Sequence, residues 1–241
     1  CPVPTISPAV VPCRSLVFDG VNEALNCTNN SAFNFGISNA FTIETWVKFD
    51  NLTGTRFLVS KWARPTPTDL RAYWFSTNGN VLTFRMGSSN TSLIIVDYNT
   101  TLITGVWYHL LATYDGSASA TGVNIYINNV VGNNIILNNI SGLISNTEPL
   151  QIGGQDTFFT AGTIAKARVW AAELTAADVA TQWNGGTIQN NPVQASSLVV
   201  DTDIANGSFG ADWTIPDLTA RTGGYTSVNM EEADRIDECP S

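Results

Sequence analysis

Residues able to do chemistry are few in this chain, and their spacing excludes more than it offers. Glycoside hydrolysis takes two carboxylates flanking the scissile bond, about 5–5.5 Å apart in retaining enzymes. No such cluster occurs: Glu44 stands alone among apolar neighbours, and Glu231-Glu232-Ala233-Asp234 lies near the C-terminal end. The one histidine, His109, sits inside the apolar stretch 107–114 and reads as a half-buried, sheet-bonded side chain rather than an acid or base. No HExxH, no CxxC and no phosphate-cradling glycine loop is present.

The chain is better equipped for recognition. Sugars are held by apolar rings together with a few well-placed polar groups. Trp62 with Arg64, Trp74, and Trp213 in a Gly/Asp-rich stretch are the candidates for carbohydrate contact, each weighed against ordinary packing at a rim. Residues 63–71 form the longest irregular insertion of the first half, and binding residues concentrate on such loops.

The four cysteines, Cys1, Cys13, Cys27 and Cys239, allow three pairings, or free buried thiols. Residues 15–20 and 23–27 read as a hairpin around Gly20-Val21-Asn22. That register sets Cys13 against Cys27 and leaves Cys1 for Cys239, so disulfides and an oxidising compartment are expected.

Composition narrows the partners. Of 241 residues 44% are apolar and 13% charged, a packed core under a surface of Asn, Thr and Ser that suits a secreted, cell-surface or virion-surface protein. A net charge of −9 with 11 Lys and Arg argues against nucleic acid and against anionic membranes, both of which need clustered cations. No apolar run approaches the length that spans a bilayer, so membrane insertion is not expected. A first residue of Cys rather than Met suggests processing, with a lipid-bearing cysteine as one alternative. Asn-x-Ser/Thr acceptors begin at Asn26, Asn29, Asn51, Asn90, Asn99, Asn139 and Asn206, and are suggestive only.

The elements that must position these residues are strands. Period-two alternation runs through 41–49 and 123–131, with further strands at 56–61, 72–77, 81–86, 93–98, 107–114, 150–152 and 163–170. Turns at Asn51-Leu52-Thr53-Gly54, Asn78-Gly79-Asn80, Asp115-Gly116 and Asn128-Asn129 separate them. One short helix is expected near 175–184, with Thr175 and Asp178 as a capping box and Gly185-Gly186 as its stop. Leu174, Val179 and Trp183 should pack it against the sandwich edge. Residues 187–194 read as a linker, and 197–200 as a strand returning to the sheet.

Several of these segments together resemble a known family. Ser15-Leu16-Val17-Phe18-Asp19-Gly20, Phe41-Thr42-Ile43-Glu44-Thr45-Trp46-Val47, Trp107-Tyr108-His109-Leu110 and Tyr114-Asp115-Gly116 occur in order. They are followed by Val123-Asn124-Ile125-Tyr126-Ile127-Asn128, Leu150-Gln151-Ile152-Gly153-Gly154, Gly162-Thr163-Ile164 and Arg168-Val169-Trp170. The series resembles laminin-G-like domains of the concanavalin A-like lectin/glucanase superfamily. The tail, with Trp213, Asp217 and Asn229-Met230, resembles the ending of such modules in large bacterial and phage surface proteins.

That resemblance implies an all-β fold, a two-sheet antiparallel jelly-roll sandwich forming one domain over 1–241, with a core at 14–186 and an extension at 187–241. It implies core roles for Trp107, Trp170 and Trp183. It makes calcium the cofactor to expect at the rim, with Asp19, Asn22 and Asp156 as ligands, although Ala165 stands where the family often has Asp. The function implied is a non-catalytic surface recognition or adhesion module whose partners are glycans. The rival is a structural or decoration subunit contacting neighbouring surface proteins, and a glycoside hydrolase comes third.

Overall fold

The computed structural model describes residues 13–63, 70–142, 144, 146–202, 204, 214–215, 217–219 and 224–240. Arg64, Trp213 and Cys1 lie outside the described residues. In chain order the strands are β1 (Ser15–Asp19), β2 (Ala24–Cys27), β3 (Phe41–Asn51), β4 (Thr55–Ala63), β5 (Leu70–Asn78), β6 (Val81–Gly87), β7 (Leu93–Thr101) and β8 (Trp107–Tyr114). They continue as β9 (Val123–Ile127), β10 (Val130–Val131), β11 (Asn134–Asn139), β12 (Leu150–Ile152), β13 (Gly154–Gln155), β14 (Phe158–Phe159) and β15 (Ala161–Trp170). The helix α1 (Ala176–Trp183) precedes β16 (Leu198–Asp201), β17 (Thr214–Ile215), β18 (Tyr225–Val228) and β19 (Arg235–Ile236).

Two antiparallel sheets stack face to face. The smaller runs β10-β9-β8-β3-β15-β1-β19, with β16 also on β15, and the larger runs β11-β7-β6-β5-β4-β12-β2-β18-β17. Alternation decides which side of each strand meets the core. On the larger sheet one cross-strand row reads Leu25, Ile152, Val59, Phe75, Phe84, Val96, and these residues pack inward. The neighbouring row reads Thr226, Asn26, Gln151, Ser60, Trp74, Arg85, Ile95, Leu137, and it faces away from the core. Phe41 centres the aromatic interior, 4.6 Å from the stacked ring of Phe35 and 5.0 Å from Tyr73.

The expected hairpin over residues 15–27 does not form. β1 belongs to the smaller sheet and β2 to the larger, so Gly20-Val21-Asn22 is a crossing between layers. Gly20 has φ +77°, and a Cβ there would come within 2.6 Å of Ala161 Cβ, so the crossing needs glycine. The disulfide changes accordingly. β19 pairs with β1, matching Ser15 with Ile236, and this brings Cys13 to Cys239 with their Cα atoms 6.0 Å apart. Cys13 therefore does not pair with Cys27, nor Cys239 with Cys1. Cys27 is buried, and its Sγ lies 3.7 Å from the Thr28 carbonyl.

The helix is capped as its sequence implies. Thr175 Oγ1 accepts from the Asp178 amide, the Asp178 carboxylate accepts from the Thr175 amide, and Asn184 at φ 46° closes the end. It lies over the outward face of the smaller sheet rather than at its edge: Trp183 stacks on Trp46 of β3 at 5.4 Å. The alternation over 123–131 is divided at the expected Asn128-Asn129 turn, both residues at positive φ, into β9 and β10. Strand β11, rich in asparagine, carried no strand signal in the sequence. The described parts of the extension join both sheets, β16 on β15, β18 on β2 and β19 on β1.

Candidate functional site

Beneath α1, the smaller sheet holds a buried polar chain. Glu44 Oε1 lies 2.9 Å from His109 Nε2, Glu44 Oε2 accepts from Gln182 Nε2 at 3.0 Å, and Arg168 Nη1 sits 3.7 Å from the same oxygen. Arg168 Nε donates to Asp201 Oδ1 at 3.0 Å, where Lys166 Nζ also pairs at 2.6 Å. Burial alone would push the Glu44 carboxyl up. The nearby Arg168 charge and the bonds from His109 and Gln182 outweigh it and hold the carboxyl below its ordinary value. Thus Glu44 is not solitary and His109 is fully rather than half buried. Sealed under the helix, this network joins sheet, helix and extension and offers no access to a ligand.

The outward face of the larger sheet is different. Strands β4 and β5 bring Trp62 and Trp74 together, their rings stacked at 5.3 Å, with Phe57, Phe158 and Leu93 around them. The Arg71 guanidinium lies 5.8 Å from the Trp62 ring and 5.9 Å from the Trp74 ring, and it donates to Asn90 Oδ1. The two indoles are only 2% and 4% exposed. The expectation that they stack on sugar directly is therefore corrected: their faces are spent on each other, on Phe57 and on Arg71, and they form the apolar base of the face.

Next to that base, β6 and β7 place polar atoms that the protein leaves unbonded. Thr83 Oγ1, Arg85 Nε and Asp97 Oδ1 are all removed from solvent and have no hydrogen-bond partner. All three side chains belong to the outward rows, because Arg85 pairs with Trp74 and Ile95, and Thr83 with Ser76 and Asp97. Burial pulls the Arg85 guanidinium below its usual range, opposed by the Asp97 charge and assisted by that of Arg71. A buried polar atom without a partner costs about 1–3 kcal/mol, so such atoms are uncommon and need a reason. Arg85 and Asp97 are only half-buried, so the rest of each side chain reaches solvent on this face, with Arg85 paired in register to Trp74 of the apolar ledge.

Across the ledge, Ser60 donates to Gln155 Oε1 at 2.8 Å and Gln151 donates to Asn26 Oδ1 at 2.6 Å. The β13–β14 hairpin sets half-buried Phe158 beside Trp62. Sequence reasoning missed Thr83, Arg85, Asp97 and Phe158. Each looks ordinary in its strand, and only the cross-strand register assembles them. A second, open depression of about 540 Å³, lined by Asp50, Asn51, Thr53, Asn80, Ile103 and Thr104 among others, offers no ring for stacking.

The calcium ligands expected from sequence lie on the β1–β2 crossing (Asp19, Asn22) and the β13–β14 hairpin (Asp156). Asp19 Oδ1 is engaged by the amides of Val21 and Asn22, at 2.7 and 3.3 Å, in a turn of its own chain. The carbonyls of Gly20 and Phe159 both accept from Arg56 Nη1. Asp156 is exposed at the tip of the β13–β14 hairpin with φ 60°. Among the described residues no three His, Cys, Asp or Glu side chains come together in a metal-binding group. Also among them, no helix is long and apolar enough to cross a membrane.

Comparison with known proteins gives the architecture a context. The family described as the concanavalin A-like lectin/glucanases superfamily matches residues 19–180. A candidate carbohydrate binding protein from Bacteroides ovatus is similar in structure, with a TM-score of 0.65 at 16% identity over 95% of this chain and 61% of that one. This chain thus spans about three fifths of the length of that relative. A heptameric SAP-like pentraxin from Limulus polyphemus gives a TM-score of 0.51 at 15% identity, covering 76% of this chain and 85% of its own. The binding domain of Paraclostridial Mosquitocidal Protein 1 gives 0.51 at 15% identity, covering 80% and 52%. No curated protein was found to match the sequence.

Proposed function

Because the chain belongs to the concanavalin A-like lectin/glucanases superfamily, we propose that it is a non-catalytic surface recognition module that binds carbohydrate on the outward face of its larger sheet. The observation that carries this reading is the half-buried pair Arg85 and Asp97, whose side chains have no hydrogen-bond partner among the described residues, beside the Trp62–Trp74 base. Sugar hydroxyls can both donate and accept, and would bond the solvent-reaching ends of both side chains. Hydrolysis needs two carboxylates at the bond, whereas β4, β5, β6 and β7 contribute one, Asp97. The likeness in fold to the Bacteroides protein accords with this reading. The Cys13–Cys239 bridge supports an oxidising location, consistent with display outside the cell.

A glycan-array screen of the purified chain tests the proposal, with Arg85→Met as the matched control. Binding to a defined set of glycans that weakens in the variant is expected. A blank array for the wild-type chain would defeat it.

One observation favours a second reading, contact with protein neighbours. Val130 and Val131 on β10, and Ile135 and Ile136 on β11, are exposed along the edges of both sheets. Exposed apolar patches mark contact surfaces. A molar mass that rises with concentration in analytical ultracentrifugation would favour this reading.

A further inference from the structure

We infer that the proposed glycan site selects neutral sugars, through Arg85 and Asp97 acting as a donor–acceptor couple on two adjacent hydroxyls. The inference rests on the reading that this face binds glycan at all. Its ground is the relation of the two side chains. Arg85 stands opposite Ile95 and Asp97 opposite Thr83, so Arg85 and Asp97 are diagonal neighbours on one face of β6 and β7. Diagonal positions on such a pair lie roughly 7–8 Å apart at Cα, within reach of long side chains. Yet among the described residues neither side chain forms a hydrogen bond or ion pair, with the other or with anything else, and both are only half-buried. A guanidinium only donates and a carboxylate only accepts. A sugar carrying two neighbouring hydroxyls satisfies both at once, one oxygen accepting from Arg85 and the other donating to Asp97.

An acidic sugar fits less well. Its carboxylate or sulfate would gain from Arg85 but would meet Asp97 as a like charge in a poorly solvated place. Arg71, the other cation nearby, already has Asn90 Oδ1 and two indole faces as partners. Among the described residues Arg85 and Asp97 thus offer one charge of each sign, a balance matched by a neutral ligand.

Calorimetric titration with neutral oligosaccharides, and with sialylated, uronate and sulfated ones, tests this at 0.1 and 0.5 M salt. Neutral ligands should bind with an affinity that salt hardly changes. Arg85→Met and Asp97→Asn should each lose about tenfold or more, the effect of one good polar contact. Should either variant fail to fold, as judged by circular dichroism, Arg85→Lys keeps the charge, removes the fork and should still lose affinity. Preferential binding of acidic glycans, strengthened by Asp97→Asn, would overturn the neutral selection while leaving the glycan-binding reading standing. Failure of every glycan class to bind would remove both.

Discussion

Glu44 and His109, 65 residues apart, meet as a fully buried pair, with Oε1 and Nε2 2.9 Å from each other beneath α1. Strand β3 supplies one and β8 the other, and the register that sets Trp46 opposite His109 fixes their approach. Through Gln182 and Arg168 the pair fastens the helix and β16 to the sheet.

Glu44→Gln should therefore cost stability out of proportion to its size. It leaves Arg168 and His109 facing an amide, and removing one partner of a buried ion pair costs about 3–5 kcal/mol. The Glu44 carboxyl is held below 4.5, so its contribution is present above that pH and is lost as pH falls further. Urea titrations at pH 7 and pH 4 should show the gap between variant and parent narrowing in acid. An equal gap at both pH values would mean that the charge does not matter.

Glu23 acts in the opposite sense. It is nearly buried, and burial first, then the neighbouring charges of Asp234 and Asp19, raise its carboxyl from 4.5 to about 7, against a hydrogen bond from the Asp19 amide. The folded chain thus holds a proton that the unfolded chain has released, and stability falls as pH rises from about 4.5 to about 7. Glu23→Gln should flatten this slope and melt above the parent at pH 8, with the two converging near pH 5. Parallel melting curves across that range would refute the assignment.

The Cys13–Cys239 bridge closes a loop across nearly the whole chain, 226 residues apart in sequence. Reduction, or Cys13→Ser, should lower stability by about 2–5 kcal/mol, while Cys27→Ser should leave the bridge intact. Non-reducing peptide mapping that links Cys13 to Cys27 would contradict the fold at its closure.

For calcium at Asp19, Asn22 and Asp156, the Asp19 Oδ1 oxygen already accepts from two backbone amides. Melting temperatures with excess Ca²⁺ and with chelator should coincide, since a ligand that binds only the native state must raise the midpoint. A rise with Ca²⁺ would show that the rim rearranges to bind it.

The strands of the sandwich were legible in the sequence because alternation is local. Phe41, Ile43 and Val47 announce one face of β3 without reference to any other strand, and Thr175 with Asp178 announces the helix start. The asparagine-rich β11 was not legible, since an edge strand paired on one side and mostly exposed needs no apolar alternation. Nor was the disulfide, for Cys13 and Cys27 sit at a spacing that suits a hairpin, and nothing within residues 13–27 says that the chain changes sheets at Gly20. The candidate site was half legible. Trp62 and Trp74 stand out by type, but Thr83, Arg85 and Asp97 become a group only once β6 and β7 are aligned. Composition and periodicity by themselves determined an all-β sandwich or barrel with a polar, weakly charged surface. Which residues share a face, which charges are sealed and which are left unbonded were decided by pairing between distant strands, because register is a long-range property set by the packing of both sheets.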